Sequence, residues 1–166
     1  MPFSARRFIR RCIDGTVFNK GNNIVAQLGD AIGIPELRLE EGSCTLSVDG
    51  LVLTLELDST HNRLLVSSLV AEVDDSRGAA FYRRLLEGSL EGIVDATGMV
   101  FAVDSRQSSI VMATAVFLDD LDGRDVAAVL SRFVGRAESW RDRLTEAPAA
   151  NAGVPDHSFV SPALLA

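Results

Sequence analysis

The sequence predicts an α+β protein with the element order α-β-β-β-α-β-β-α, in which a curved antiparallel sheet packs against helices. Three segments repeat their apolar residues at helical spacing, and five shorter segments have the length and pattern of strands. The chain has 166 residues, of which 47% are hydrophobic. This is enough for one buried core but too short for two full domains, and it excludes a chain that is disordered throughout.

Composition shifts divide the chain into a basic N-terminal arm (residues 1–21), an α+β domain (22–146) and an Ala/Pro-rich tail (147–166) that we expect to be disordered. The arm carries five basic residues against the single acid Asp14, whereas the whole chain has a net charge of −7. A main domain this acidic repels phosphate backbones, so nucleic-acid binding is disfavoured. We interpret the arm as solvated, with contact to an anionic surface as the alternative.

The first helix is predicted from about Asn23 to Ile32. Ile24, Leu28 and Ile32 recur every four residues and form one apolar stripe. Asn22 or Asn23 is the expected N-cap, because an asparagine oxygen accepts hydrogen bonds from the first free N–H groups of a helix.

Three strands are predicted next, over residues 44–49, 51–58 and 63–73. The first two alternate between apolar and polar residues and are joined by Asp49-Gly50, a dipeptide typical of tight hairpin turns. The third is apolar on both faces, so each of its faces needs a cover.

A second helix is predicted over residues 76–91, two strands over 99–104 and 109–118, and a last helix over 122–146. The strand 109–118 is again apolar on both faces. Three helices of this size hardly cover a sheet on both sides. The excess of apolar surface therefore points to an oligomer or a bound polypeptide, with ordinary tight packing as the alternative.

No motif in the chain indicates catalysis, a metal or a cofactor. The two histidines, His61 and His157, lie in a predicted turn and in the tail, and the acids of residues 119–123 fit a turn and helix cap better than a calcium loop. Phosphate-binding glycine motifs and a nucleophile elbow are absent from the sequence. We therefore expect no enzyme activity, no metal and no cofactor.

The sequence also predicts a cytoplasmic protein. No apolar run is long enough to span a bilayer, and Phe8-Ile9 is followed at once by two arginines, which excludes the apolar centre of a signal peptide. Cys12 and Cys44 stand alone, without the spacing of a disulfide framework.

Four strings, in this order, resemble the type III secretion chaperones of the Tir chaperone (CesT-like) family, the class that serves individual effectors. They are residues 28–35 (LGDAIGIP), 42–49 (GSCTLSVD), 81–90 (FYRRLLEGSL) and 133–140 (FVGRAESW). Each string is weak alone because it is mostly core pattern, but the order is fairly specific. The resemblance covers about residues 23–146.

The resemblance implies a homodimeric, non-catalytic chaperone without a cofactor, located in the bacterial cytoplasm. Its partner would be the N-terminal, non-globular segment of a secreted effector, which it would keep soluble and competent for secretion. It implies neither nucleic-acid binding nor membrane insertion. For the effector-binding groove we nominate Ile24, Leu28, Ile32, Leu37 and Leu65, with plain core as the alternative. For the dimer contact we nominate the apolar side of the second helix, at Leu85, Leu86, Leu90 and Ile93.

Two other functions stay open at the level of sequence. One is the same fold used outside secretion, as a binding or regulatory protein. The other is a small-molecule-binding or enzymatic α+β domain, which a deep pocket with convergent polar groups inside one protomer would favour. Which apolar face serves the dimer and which the client is also left open.

Overall fold

The computed structural model describes residues 15–73, 77–119 and 121–145. Within them the element order is α-β-β-β-α-β-β-α, which confirms the predicted fold class. The elements are α1 (Gly15–Ile32), β1 (Ser43–Val48), β2 (Leu51–Asp58), β3 (Arg63–Glu72), α2 (Ala79–Val94), β4 (Val100–Asp104), β5 (Ser109–Phe117) and α3 (Gly123–Thr145). The predicted tail, most of the predicted arm, Cys12 and His157 lie outside the described residues.

The first helix begins at Gly15, eight residues before the predicted start at Asn23. Gly21, which resembles a break in the sequence, is buried in the helix, where the side-chain ends of Leu57 and Leu39 pack against it. Asn22 does not cap the helix. Its Oδ1 atom accepts a hydrogen bond from the backbone N–H of Leu39 at 2.8 Å and so ties the helix to the segment before β1.

The five strands form one antiparallel sheet in the order β1-β2-β3-β5-β4. The predicted hairpin at Asp49-Gly50 is confirmed, since both residues have the positive φ angles, 50° and 78°, that a type I′ turn requires. The ladder between β3 and β5 shifts register between Leu69 and Ala71. Such a bulge bends the strand that carries it and increases the local twist of the sheet.

The helices α1 and α3 cover one face of the sheet. Alternate residues of β2, β3 and β5 on that face are buried, together with Phe133 and Trp140 of α3. The two helices approach closely at Gly123, whose N–H donates to Gln27 Oε1 at 3.1 Å. The core therefore lies between α1, α3 and one face of the sheet, and none of the three described helices lies over the opposite face.

Candidate polypeptide-binding surfaces

Two of the residues nominated for effector binding belong to the core of this chain. Ile24 is 3% exposed and Leu28 is fully buried, in the layer between α1 and the sheet. Because side chains in a packed core do not contact a partner without local rearrangement, their burial removes them from any exposed groove.

The other three nominated residues are partly exposed but lie in two places. Ile32 and Leu37 are half-buried at the end of α1, where the N–H of Ile34 donates to the carbonyl of Gly29 at 2.8 Å and brings the following segment back along the helix. Leu65 lies on the opposite face of the sheet, since it alternates along β3 with the buried Leu64. The structure therefore does not bring the five residues together.

The residues nominated for the dimer contact lie on two sides of α2. Leu85 is buried against the rest of the chain, whereas Leu86, Leu90 and Ile93 are exposed. Val94, which the sequence analysis did not single out, joins them. We call Leu86, Leu90, Ile93 and Val94 the α2 stripe. Its members are between 60% and 78% exposed and share one face of the helix by their spacing.

The inner side of α2 packs closely on β4 through two glycines one turn apart. Any side chain at Gly92 would collide with the backbone of Met99, and one at Gly88 would collide with Trp140 and Phe101. Between them, Ser89 Oγ accepts a hydrogen bond from the N–H of Phe101 at 2.9 Å. This N–H is on the side of β4 away from β5, so α2 covers the outer edge of the sheet there.

The other outer edge of the sheet is β1, and it is only partly covered. Ser43 exchanges backbone hydrogen bonds with Glu40 at 2.8 and 3.0 Å on its outer side. Backbone N–H and C=O groups alternate in direction along a strand, so the backbone groups of Thr45 and Ser47 point outward like those of Ser43. In the described part of the chain neither of them has a backbone partner on that side. We call this the open β1 edge.

A shallow groove of about 420 Å³ lies at one end of the sheet and another of about 740 Å³ lies beside the open β1 edge. The second is lined by Leu37, Cys44 and Thr45 and by four charged residues, the three acids Glu36, Glu40 and Glu41 and the single cation Arg38. Leu37 is thus the one nominated residue that faces this groove. Burial raises the pKa of the Cys44 thiol, so the thiol is protonated near neutral pH.

The uncovered face of the sheet holds a groove of about 770 Å³. Its floor is an apolar row formed by Val52, Leu69, Val111 and Ala102, in which Leu69 pairs with Val111 and Val111 with Ala102. Val52 and Leu69 are about half exposed. Leu65 lies on the same face of the sheet, four residues before Leu69 on β3 and so toward the opposite end of the groove. We call this surface the open sheet face.

Asp58 and Asp122 have carboxyl groups whose pKa values are lowered by hydrogen bonds within the fold. Burial raises the pKa of Asp58, but hydrogen bonds from His61 and Arg63 outweigh it, so the pKa lies below its usual value. The pKa of Asp122 is also lowered, because its carboxylate accepts the backbone N–H groups of Asp125 and Arg124 at the start of α3. The predicted turn and cap at this position are therefore confirmed.

The described residues contain neither a cluster of metal ligands nor a membrane-spanning helix. No three metal-ligating side chains converge on one point among them. None of their helices combines the length and apolar character that crossing a bilayer requires.

A chain with an exposed apolar helix stripe, an open strand edge and an uncovered sheet face has the features of a polypeptide-binding protein. The family model that describes the Tir chaperone protein (CesT) family matches residues 23–141. The chain therefore belongs to this family of chaperones, as the four strings in the sequence indicated.

Solved structures show the same fold. The chain is similar to a crystal structure of the ExsC-ExsE complex, with a TM-score of 0.67, 24% identity, and coverage of 81% of this chain and 98% of that one. It is also similar to a structure of the HopA1-SchA chaperone-effector complex, with a TM-score of 0.66, 18% identity, and coverage of 78% and 98%. A third is the ExoT-SpcS complex from Pseudomonas aeruginosa, with a TM-score of 0.54, 19% identity, and coverage of 72% and 96%. Comparison with curated proteins gives no significant match.

Proposed function

We propose that this protein is a homodimeric type III secretion chaperone that binds the N-terminal, non-globular segment of an effector in the bacterial cytoplasm. The segment would be kept soluble and competent for secretion. The observation that carries the proposal is that one chain, of a chaperone family, leaves three separate surfaces suited to polypeptides uncovered. Two of the similar structures support it, since one is described as a chaperone-effector complex and another pairs two proteins, ExoT and SpcS.

The α2 stripe is the surface that we assign to the second copy. Exposing four large apolar side chains on one helix face is unfavourable in water, because burying each of them fully contributes about 1.5–3 kcal/mol of free energy. In a twofold contact the same stripe is used by both copies, so each of these gains counts twice. The nominated Leu86, Leu90 and Ile93 stay in this proposal, whereas Leu85 supports the stripe from inside the chain.

The open β1 edge and the groove beside it are the surface that we assign to an extended client. A client strand that pairs with Thr45 and Ser47 satisfies its own backbone and theirs, and alternate side chains reach the groove at Leu37. The opposite edge does not compete for the strand, because Ser89 of α2 already holds the outward N–H of Phe101. Three glutamates against the single cation Arg38 make this groove acidic and favour a client segment with basic residues.

The experiment that tests the proposal is co-purification of the full tagged chain from its native bacterium, with the complex sized by light scattering. We expect a chaperone dimer holding one secreted protein, with protease protection confined to the N-terminal part of that protein. Recovery of the chain as a monomer would refute the dimer. Recovery without any polypeptide, under conditions in which the secretion system is expressed, would refute the client.

A further inference from the structure

The groove beside the open β1 edge carries an excess of negative charge. Its three acids, Glu36, Glu40 and Glu41, are exposed, and Arg38 is the single cation among its lining residues. None of the three acids forms an ion pair within the described part of the chain. Neighbouring carboxylates without a counterion repel one another, so a cationic segment in this groove is favourable.

The chain itself contains a segment of the opposite charge directly before α1. Residues 1–14, which lie outside the described residues, hold four arginines and one acid, Asp14, in a chain whose net charge is −7. We call residues 1–14 the arm segment. Its arginines are Arg6, Arg7, Arg10 and Arg11. The sequence analysis left contact with an anionic surface open for this arm, and the acidic groove is such a surface.

The arm segment joins α1 at the end of the sheet where β1 begins. The side-chain ends of Leu57 and Leu39 pack against Gly21 of α1. The N–H of Leu57 also donates to the carbonyl of Gly42 at 2.8 Å, next to the first residue of β1. Gly15, the first residue of α1, precedes Gly21 by six residues, which is about 9 Å along a helix. The arm segment therefore starts within reach of the groove.

The arm segment is also long enough to cover the free stretch of the edge. Fourteen extended residues span up to about 46 Å, whereas the six residues of β1 rise about 20 Å. An extended segment beside Thr45 and Ser47 would supply the backbone partners that these two residues lack on their outer side in the described part of the chain. Both alternating sets of residues 7–13 contain an arginine and an apolar residue. Either set can thus meet the glutamates and Leu37 together.

Building on the proposed function, which assigns this edge to the client, we propose that the arm segment of the same chain occupies the open β1 edge and its acidic groove until a client strand displaces it. The tether to α1 gives the segment a high effective concentration at the edge. A second copy fits less well, because two chains paired edge to edge would bring two sets of three glutamates together.

An occupied edge lowers the apparent affinity for the client. Only the fraction of chains with a free edge can bind, so the apparent dissociation constant is the intrinsic one divided by that fraction. Occupancy by the arm segment for about two thirds to nine tenths of the time weakens client binding about threefold to tenfold. Occupancy also protects the edge from pairing with other exposed strands before the client arrives.

The first measurement is photo-cross-linking of the full chain without a client. Thr45→p-benzoylphenylalanine places the reactive group in the groove. We expect cross-links to residues 1–14 of the same copy, identified by mass spectrometry and separated from cross-links between copies by size on a denaturing gel. Ala80→p-benzoylphenylalanine, at an exposed position of α2 outside the groove, is the matched control. Its yield of cross-links to residues 1–14 should be at least tenfold lower.

The second measurement is the affinity for the labelled, protease-protected fragment of the client. Replacing the four arginines of the arm segment by serine should strengthen binding about threefold to tenfold at low salt, and by less at high salt, where the segment is already screened from the groove. The matched control replaces by serine four arginines that are exposed outside the groove and should not strengthen binding. These are Arg83, Arg106, Arg124 and Arg132.

Failure of the inference is distinguishable from failure of the proposed function. Absence of cross-links from position 45 to residues 1–14, or cross-links between copies alone, overturns the inference. A client affinity that is unchanged or lowered by the four serines also overturns it and leaves the chaperone function standing. Binding of no client by either the parent chain or the serine variant overturns the proposed function, whereas the cross-link in the free chain still decides the inference.

Discussion

Replacing Leu90 by aspartate should dissociate the dimer without unfolding the protomer. Leu90 lies in the middle of the α2 stripe and is 60% exposed in the single chain. Full burial of a leucine contributes about 1.5–3 kcal/mol, so the exposed part contributes about 1.5 kcal/mol. A twofold interface contains the residue twice, which gives about 3 kcal/mol, or a hundredfold increase in the dissociation constant. The cost of burying two carboxylates adds to this.

The measurement is sedimentation equilibrium of the full chain over a range of concentrations, with circular dichroism as the check on folding. Ala80→Asp is the matched control, since it adds the same charge to an exposed position of α2 outside the stripe. An acid in the first turn of a helix is also tolerated. If Leu90→Asp and Ala80→Asp dimerise with the same constant as the parent protein, the α2 stripe is not the interface.

Three further changes test other parts of the structure. Thr45→Pro removes an outward N–H from the open β1 edge and should weaken client binding, measured by titration calorimetry, at least tenfold. Thr45→Val keeps this N–H and should not weaken binding. Equal binding by the two variants would exclude strand addition at this edge. Gly92→Ala should lower the free energy of unfolding by about 1–3 kcal/mol, because the new methyl group meets the backbone of Met99. Gly135→Ala, in an open position of α3, should instead raise it by about 0.5–1 kcal/mol in urea unfolding; similar effects of both would show that α2 does not pack on β4 as described. Asp58→Asn should destabilise the protein by up to about 1 kcal/mol at pH 7. Because the folded pKa of Asp58 is lowered, the difference in the free energy of unfolding is present above the unfolded pKa of about 3.9 and disappears as the pH falls through the folded pKa. A difference that persists at about pH 2 would show that the ionised carboxylate of Asp58 is not its cause.

The element order was predictable because each element repeats its apolar residues at its own period, and the turn chemistry agrees with that pattern. The start of α1 was not. Gly21 and the two asparagines after it resemble a break, but Gly21 lies inside the helix, where the side-chain ends of Leu57 and Leu39 lie against it. A close approach between distant segments has no local signal in the sequence.

The candidate surfaces were only partly predictable, for a related reason. An apolar stripe has the same spacing whether it packs inward or faces a partner, so Leu28 and Leu90 are equivalent in the sequence although one is fully buried and the other is mostly exposed. Two adjacent leucines, Leu85 and Leu86, also fit one broad stripe, and only the packing of α2 on β4 separates them. The excess of apolar strand faces was the better signal, since it pointed to the open sheet face without naming its residues.

The two edges of the sheet differ in a way that bears on solubility. A sheet with two free edges pairs with copies of itself on both sides and grows without limit, which is the usual hazard of exposed strands. Here α2 packs closely on β4 through its own Gly88 and Gly92 and so places Ser89 against the outer edge of β4, and residues around Glu40 cover the beginning of β1. In the part of the chain that the structure describes, a short stretch at Thr45 and Ser47 stays free, long enough to pair with one client strand. When that strand is added, the new outer edge of the sheet belongs to the client and not to another copy of this chain. The arrangement therefore favours capture of a single client segment over open-ended polymerisation of the chain.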